Sequence, residues 1–288
     1  MSAALALDAA TLDRDAPRAP SYVEATLTFI APMAAKPFNY TFQPPDGGPM
    51  SNVVADQRRV RIHDVRPVAS RMTLDTAGFA LVRRPTALRD FDDEAAIRAV
   101  YYPESEAILR AATGAARVLI FDHTLRRRID GAPDRGDGPR QPVARVHVDQ
   151  TVASGPKRVR DLLPPDEAET LLRGRVRLVN LWRPILGPAI DMPLAVADAR
   201  SVAPGDLIPS DLIFRDRVGE TYAVRHNPAH RWYYAPHMGT YEALLLKCYD
   251  SATDGTARFV PHAAFADPTA PADAPPRQSI ELRALLFG

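Results

Sequence analysis

The sequence predicts a mainly β fold, a barrel or jelly roll with α-helices packed outside it, and three observations carry that expectation. Beyond residue 174 the chain breaks into eight short strand candidates separated by Gly, Pro, Asn and Asp. Helical periodicity is concentrated nearer the N-terminus. The chain holds 28 prolines against 15 glycines. Proline removes a backbone donor and stops helices and central strands, so elements should be short and loops numerous.

Taken in order, residues 1–20 are rich in Ala, Asp and Pro, have little to bury, and predict a flexible terminal segment. Residues 21–288 are expected to form a single domain, with strands and helices over 21–140 and the jelly-roll core over 141–288. "YVEATLTFIAPM" and "RRVRIHDV" read as strands; in the second, Val60 and Ile62 alternate with Arg59, Arg61 and His63. "DDEAAIRAVYYPESEAILRAATG" is the strongest helical stretch. Asp92 or Asp93 can cap it, Pro103 should interrupt it, and Gly114 should end the second piece. "ARVLIFDHT" reads as a buried strand and "RRRIDGAPDRGDGPRQP" as a polar turn or loop. "GPKRVRDLLPPDEAETLLRGR" predicts two short helices, with Pro164 and Pro165 before the second. The eight strand candidates follow, from "RVRLVNLWRPI" to "QSIELRALLF", and no internal repeat is present.

Composition excludes several classes. The net charge is +1, so no global field attracts nucleic acid. The basic runs at Arg126–Arg128 and Arg173–Arg177 read as solvated faces. A single cysteine, Cys248, rules out a disulfide within the chain and suits a reducing cytosol; inside "ALLLKCYD" it reads as a small core residue. No apolar stretch is long enough to span a membrane. The start carries early acids and no basic n-region, so it does not read as a secretory signal, and a cytoplasmic location is expected.

One stretch raises a chemical question. In "RVHVDQT", Arg145, His147, Asp149 and Thr151 alternate with valines, and on a strand they would share one face. His147 and Asp149 could supply two ligands to a metal, or they could simply face water. A third ligand would favour the metal, and His262 in "RFVPHAAF" lies on a late strand candidate. Fifteen residues later, "RQSIELRALLF" puts Arg277, Ser279, Glu281 and Arg283 on one face. A guanidinium fork and a hydroxyl two residues apart suit a carboxylate.

The chain order His-x-Asp, distal His, Arg-x-Ser resembles the non-haem Fe(II), 2-oxoglutarate-dependent oxygenases and their isopenicillin-synthase-like relatives. Within them, "TGAARVLIFDHTLR", "HVDQT", "NLWRPILGP", "PLAVADARSV", "HRWYYAPHM" and "PHAAFADP…APPRQSIELRALLF" are similar to a hydroxylase/desaturase subfamily. That subfamily includes a component of the cephem 7α-methoxylase and the aspergillic-acid-type oxidases. The resemblance spans nearly the whole chain beyond the first twenty residues. It implies a double-stranded β-helix of cupin-like jelly-roll form, with Fe(II), 2-oxoglutarate and O2 as cofactor and cosubstrates. His147 and Asp149 match the first two iron ligands, His262 the distal ligand, and Arg277 with Ser279 the grip on the far carboxylate of the keto acid. Asp149 and His262 are 113 positions apart, long for this fold, which keeps His230 in "HRWYY" open as a competing third ligand or keto-acid contact.

Further residues carry paired readings. Asn180, Trp182 and Arg183 in "NLWRPI" are pocket wall or core, with Arg183 available to an acidic substrate or cosubstrate. Trp232 and Tyr234 are candidates for the substrate pocket; alternation points them opposite to Tyr233, so at least one of the three rings is core. His123 reads as a satisfied structural histidine and Arg283 as a partner of Glu281. His63, His226 and His237 show no pattern. The expected activity is oxidation, by hydroxylation, desaturation or a related step, of a small molecule of secondary metabolism. The resemblance leaves two competitors, an iron oxidase without the keto acid and a non-catalytic member of a two-protein system. A homodimer or a partner protein is compatible with it.

Overall fold

The computed structural model describes residues 22–132 and 140–288. The segment 1–20 read as a flexible terminus, and residues 133–139 of the polar loop, lie outside the described residues.

The strands in chain order are β1 (Tyr22–Ile30), β2 (Phe38–Tyr40), β3 (Ala55–Asp64), β4 (Phe79–Arg83), β5 (Arg117–Arg127), β6 (His147–Val148), β7 (Val176–Pro184), β8 (Leu194–Ala197), β9 (Leu207–Ile213), β10 (Val218–Val224), β11 (Trp232–Tyr234), β12 (Glu242–Asp250), β13 (His262–Ala264) and β14 (Gln278–Phe287). The α-helices are α1 (Glu94–Ala96), α2 (Tyr102–Thr113), α3 (Ser154–Leu162) and α4 (Pro165–Leu172). Nine strands form one sheet in the order β1-β3-β11-β8-β13-β6-β10-β9-β2, and five form a second in the order β4-β12-β7-β14-β5. This is the jelly roll that the strand pattern predicts.

Alternation along the strands sorts residues between the faces. Between the sheets, Trp182, Leu244 and Leu246 pack against Leu194 and Val196, while Leu178, Cys248 and Leu285 pack against Val148 and Tyr222. The outer face of the five-stranded sheet offers Val179, Leu181, Leu245, Ile280 and Leu282 to Ile97, Tyr101, Ile108 and Leu109 of the helical segment. The nine-stranded sheet curls over its own far face. There Val146, Ala195, Ala197, Ala263, Trp232 and Tyr234 pack with Val23, Leu27 and Phe29 of β1. The Val146 amide donates to the Thr28 carbonyl (2.8 Å) and closes that curl.

Three local expectations change. Asp93 caps α1, its side chain accepting from Ala95 N and Ala96 N. Pro103, however, does not break the helical stretch. A π-turn over Ile97–Tyr101 joins α1 to α2 and absorbs the ring that an α-helical ladder would exclude. Gly114 ends α2 with φ +66°, a left-handed cap. Strand β5 is not buried but runs along a sheet edge beside β14, and most of its residues are half-exposed. The ladder expected through "RVHVDQT" holds only at His147–Val148. Beyond Asp149 the chain turns, because Thr151 Oγ accepts from Ala153 N (3.1 Å) and Ser154 N (3.0 Å) and so caps α3. Among the described residues no helix is long and apolar enough to cross a membrane.

Candidate functional site

Two short strands position the centre of the site. His147 on β6 pairs in register with His262 on β13, so both imidazoles leave the sheet on the same side, facing the five-stranded sheet. Their ring centroids are 4.5 Å apart. The ring atom Nδ1 of His147 lies 2.8 Å from the Arg145 carbonyl, and that of His262 lies 3.0 Å from the Val260 carbonyl. A carbonyl only accepts, so both Nδ1 atoms carry the proton in the neutral rings and both Nε2 atoms keep a lone pair. Asp149, just past β6, turns Oδ1 toward them: 3.3 Å from His147 Nε2 and 3.9 Å from His262 Nε2. One potential ligand atom from each of the three lies within 4.8 Å of the others.

The five-stranded sheet holds Asp149 from behind. Its Oδ2 accepts from Asn180 Nδ2 (2.8 Å) on β7 and from Arg283 Nε (3.3 Å) on β14. Asn180 also donates to Glu281 Oε1 (3.0 Å). Arg283 reaches Glu281 Oε1 (2.8 Å), Asp122 Oδ1 (3.1 Å) and Thr124 Oγ1 (3.0 Å). Burial alone would raise the Asp149 pKa. The contact with His147 and the charge of Arg283 outweigh it and hold the carboxyl well below its usual range. Burial, with the neighbouring His147, lowers the pKa of His262 and favours the neutral ring a metal needs.

Beside the triad is a recess lined by His147, His262, Arg277, Trp182, Glu281 and Arg126, about 270 Å³ counted with the solvent at its mouth. Arg277 is 3% exposed, lies over the Trp182 ring at 5.4 Å, and donates from one terminal nitrogen to the Met192 carbonyl (2.5 Å). Burial, reinforced by Arg126, pushes its pKa down to about 9, which leaves it charged at neutral pH. Among the described residues, the buried polar atoms without a hydrogen-bond partner include Nε2 of His262, Nε of Arg277 and Oγ of Ser279. Buried polar groups are rarely left unsatisfied, and those of His262 and Arg277 belong to residues that line the recess, where a ligand atom could meet them. Two imidazole nitrogens and a carboxylate oxygen suit a divalent transition metal. A buried guanidinium and a hydroxyl suit a carboxylate. The residues fit Fe(II) and a keto acid.

Comparison with known proteins places this geometry. The profile of the family described as "YDMC: Oxidoreductase/YMDC permease-like domain" matches residues 27–287. The chain is 32% identical over 277 residues to the Fe(II)/2-oxoglutarate-dependent dioxygenase nvfI of Aspergillus novofumigatus, covering 93% of this chain and 98% of that one. It is 34% identical over 249 residues to the hydroxylase/desaturase efuI of Hormonema carpetanum, covering 79% and 83%. The solved structure of the iron and alpha-ketoglutarate-dependent endoperoxidase NvfI superposes with a TM-score of 0.84 at 30% identity, covering 94% of this chain and 99% of that one. The chain therefore belongs to the Fe(II)/2-oxoglutarate-dependent dioxygenases, oxidoreductases whose cofactor and cosubstrates are Fe(II), 2-oxoglutarate and O2.

The other sequence candidates divide. Asn180 and Trp182 join the site, the first on Asp149 and the second under Arg277. Arg183, one residue on, points to the opposite face, donating to the Thr240 carbonyl (2.9 Å) and lying over Tyr101 at 5.5 Å. His230 is not with the triad. Its ring is buried beside Phe29 and Trp232, and its Nε2 is 2.9 Å from Asp206 Oδ2. Trp232 and Tyr234 do not line the pocket either, because they sit on the far face of the nine-stranded sheet with Val146 and Ala263, which alternate with His147 and His262. His123 is satisfied by Tyr102 (3.0 Å) and Glu94 (3.2 Å). The contact between Arg283 and Asp149 has no local sequence signal, although the shared face of Arg277, Ser279, Glu281 and Arg283 was already visible.

Proposed function

We propose that this enzyme oxidises a small organic molecule of secondary metabolism, by hydroxylation, desaturation or a related step, in a reducing cytoplasm. His147, Asp149 and His262 are the ligands of Fe(II), and Arg277 and Ser279 hold the distal carboxylate of 2-oxoglutarate. The observation that carries this is the set of three orphaned buried atoms, on His262, Arg277 and Ser279. When bound, iron with 2-oxoglutarate and O2 supplies the oxidation, in which the keto acid goes to succinate and CO2.

The chain's own residues do the rest. The Arg145 and Val260 carbonyls fix the imidazole tautomers so that both Nε2 atoms face inward. Asn180 and Arg283 occupy Oδ2 of Asp149 and leave Oδ1 to the centre. Arg277, braced by Trp182 and the Met192 carbonyl, presents its remaining donors to the recess. The buried wall around them keeps water out. The name endoperoxidase, carried by one relative, and hydroxylase/desaturase, carried by another, support oxidation as the shared chemistry. The buried Cys248 suits a reducing compartment.

The test is an anaerobic titration of apo-protein with Fe(II) and then 2-oxoglutarate. A weak visible charge-transfer band is expected, and Arg277→Ala should weaken it. Iron binding without a band would favour an oxidase that does not use the keto acid. Failure to bind iron would overturn the reading.

A further inference from the structure

A second recess opens on the other side of Asp149, between α3 and the β9–β10 hairpin. It measures about 410 Å³ counted with the solvent at its mouth. Asp149 forms part of its wall, so it abuts the proposed metal centre. Phe214, Leu212 and Val218 give it an apolar side, and its charged lining sets Lys157, Arg158 and Arg217 among the carboxylates of Asp149, Asp161 and Glu220.

Among the described residues, two of those cations have no carboxylate within hydrogen-bonding distance. Lys157 is spoken for, with Nζ 2.8 and 2.9 Å from the two Asp161 oxygens. Glu220 is likewise taken by Lys36 (2.9 Å) and Thr151 (2.6 Å). Arg158 has no carboxylate partner among the described residues; its guanidinium lies over the Phe121 ring at 5.6 Å. Arg217 lies over the Phe214 ring at 4.2 Å, and the nearest carboxylate oxygen, on the exposed Asp216, is 3.6 Å away. A guanidinium stacked on a ring is fixed in orientation while its N–H edges remain free to accept an anion. Two such groups on a recess that is apolar on one side and borders the metal centre point to a substrate chemistry.

We propose that this recess is the substrate site and that it selects an apolar, ring-bearing molecule with a carboxylate, recognised by Arg158 and Arg217. The proposal rests on the dioxygenase reading for the position of the reacting centre. It adds the class of molecule presented there and the two residues that determine specificity.

The test uses full-length protein loaded with Co(II) and saturating 2-oxoglutarate, so that the keto-acid grip is occupied. Isothermal titration with 2-naphthoate and with 2-naphthamide compares an acid and its neutral isostere. The acid is expected to bind at least tenfold tighter, roughly the worth of one charge-assisted hydrogen bond. Arg158→Ala and Arg217→Ala should each bring the acid toward the amide, and Arg158→Lys should restore part of the preference. Circular dichroism establishes that the variants are folded. Equal affinity for acid and amide would overturn the proposal. So would naphthoate binding that survives the Arg158→Ala/Arg217→Ala double variant but is lost in Arg277→Ala, since the anion would then sit in the keto-acid grip. Succinate formation by the wild type with Fe(II), 2-oxoglutarate and O2 is measured separately. If succinate is absent while the acid preference and its loss in the variants stand, the recess is supported and it is the dioxygenase reading that fails.

Discussion

Arg283 Nε lies 3.3 Å from Asp149 Oδ2, and Asn180 Nδ2 lies 2.8 Å from the same oxygen. Two donors from the five-stranded sheet thus hold one oxygen of a carboxylate whose other oxygen faces two imidazoles on the opposite sheet. Such supports commonly contribute tenfold to a hundredfold in metal affinity. Asn180→Ala and Arg283→Ala should therefore each weaken Co(II) or Fe(II) binding by about that factor, read by direct metal titration. Asn180→Asp should be worse than Ala, since it sets a third carboxylate beside those of Asp149 and Glu281.

His230 provides a control for the choice of ligand. His230→Ala removes a buried ring beside Phe29 and leaves Asp206 short of one partner. A stability loss of about 2–4 kcal/mol is expected from the cavity and the lost bond. Metal affinity should be unchanged. His262→Ala should show the reverse emphasis, abolishing metal binding, and denaturant titration with metal titration separates the two.

Of the fold, the parts governed by periodicity were legible from the residues. The alternation in "HRWYY" correctly set Tyr233 against Trp232 and Tyr234, and that in "QSIELRALLF" set Ser279, Glu281 and Arg283 against Ile280 and Leu282. Period two says which side chains share a face. It does not say which face meets the metal, and so Trp232, Tyr234 and Arg183 were expected in the pocket and lie outside it. The short reach of β6 was hidden for a different reason. Thr151 extends the alternating pattern, yet its hydroxyl is used to cap α3. Local side-chain bonds of this kind compete with a ladder without disturbing the pattern. The bond between Arg283 and Asp149 spans 134 positions and follows only from the packing of the two sheets.

A buried charge cluster away from the site predicts acid sensitivity. Asp250, fully buried, bonds Lys247 Nζ (2.7 Å) and Arg175 (2.7 and 3.1 Å). Burial alone would raise its pKa, but the bonds from Arg175 and Lys247 lower it. A carboxylate with a lowered folded pKa contributes stability that is fully present above its unfolded value near 4, and that is lost as pH falls through the folded one. Asp250→Asn should cost about 3–5 kcal/mol at neutral pH by leaving buried Lys247 undercompensated. The difference from wild type should shrink as pH drops below about 4, which urea titrations at a series of pH values will show.

Gly155 sets how closely α3 approaches the barrel. A Cβ there would meet the Tyr249 ring at 2.6 Å. Gly155→Ala should lower stability by about 1–3 kcal/mol through overpacking. Because Arg158 lies one turn further along α3, naphthoate affinity should fall with it. Unchanged melting temperature and affinity would show that the helix has room to shift.

The register between His147 and His262 carries a consequence for the apo-protein. They face each other on strands of two and three residues, which are joined to one another at that single pair. An ion held by both imidazoles acts as a buckle across a seam with little stitching of its own. Its binding free energy then appears as closure of the barrel, about 2.7 kcal/mol at a hundredfold excess over Kd. Iron supply thereby governs durability as well as turnover: a chain starved of metal should exchange its amide hydrogens first along β6 and β13, and reloading the ion should close that seam in the same step that restores the enzyme.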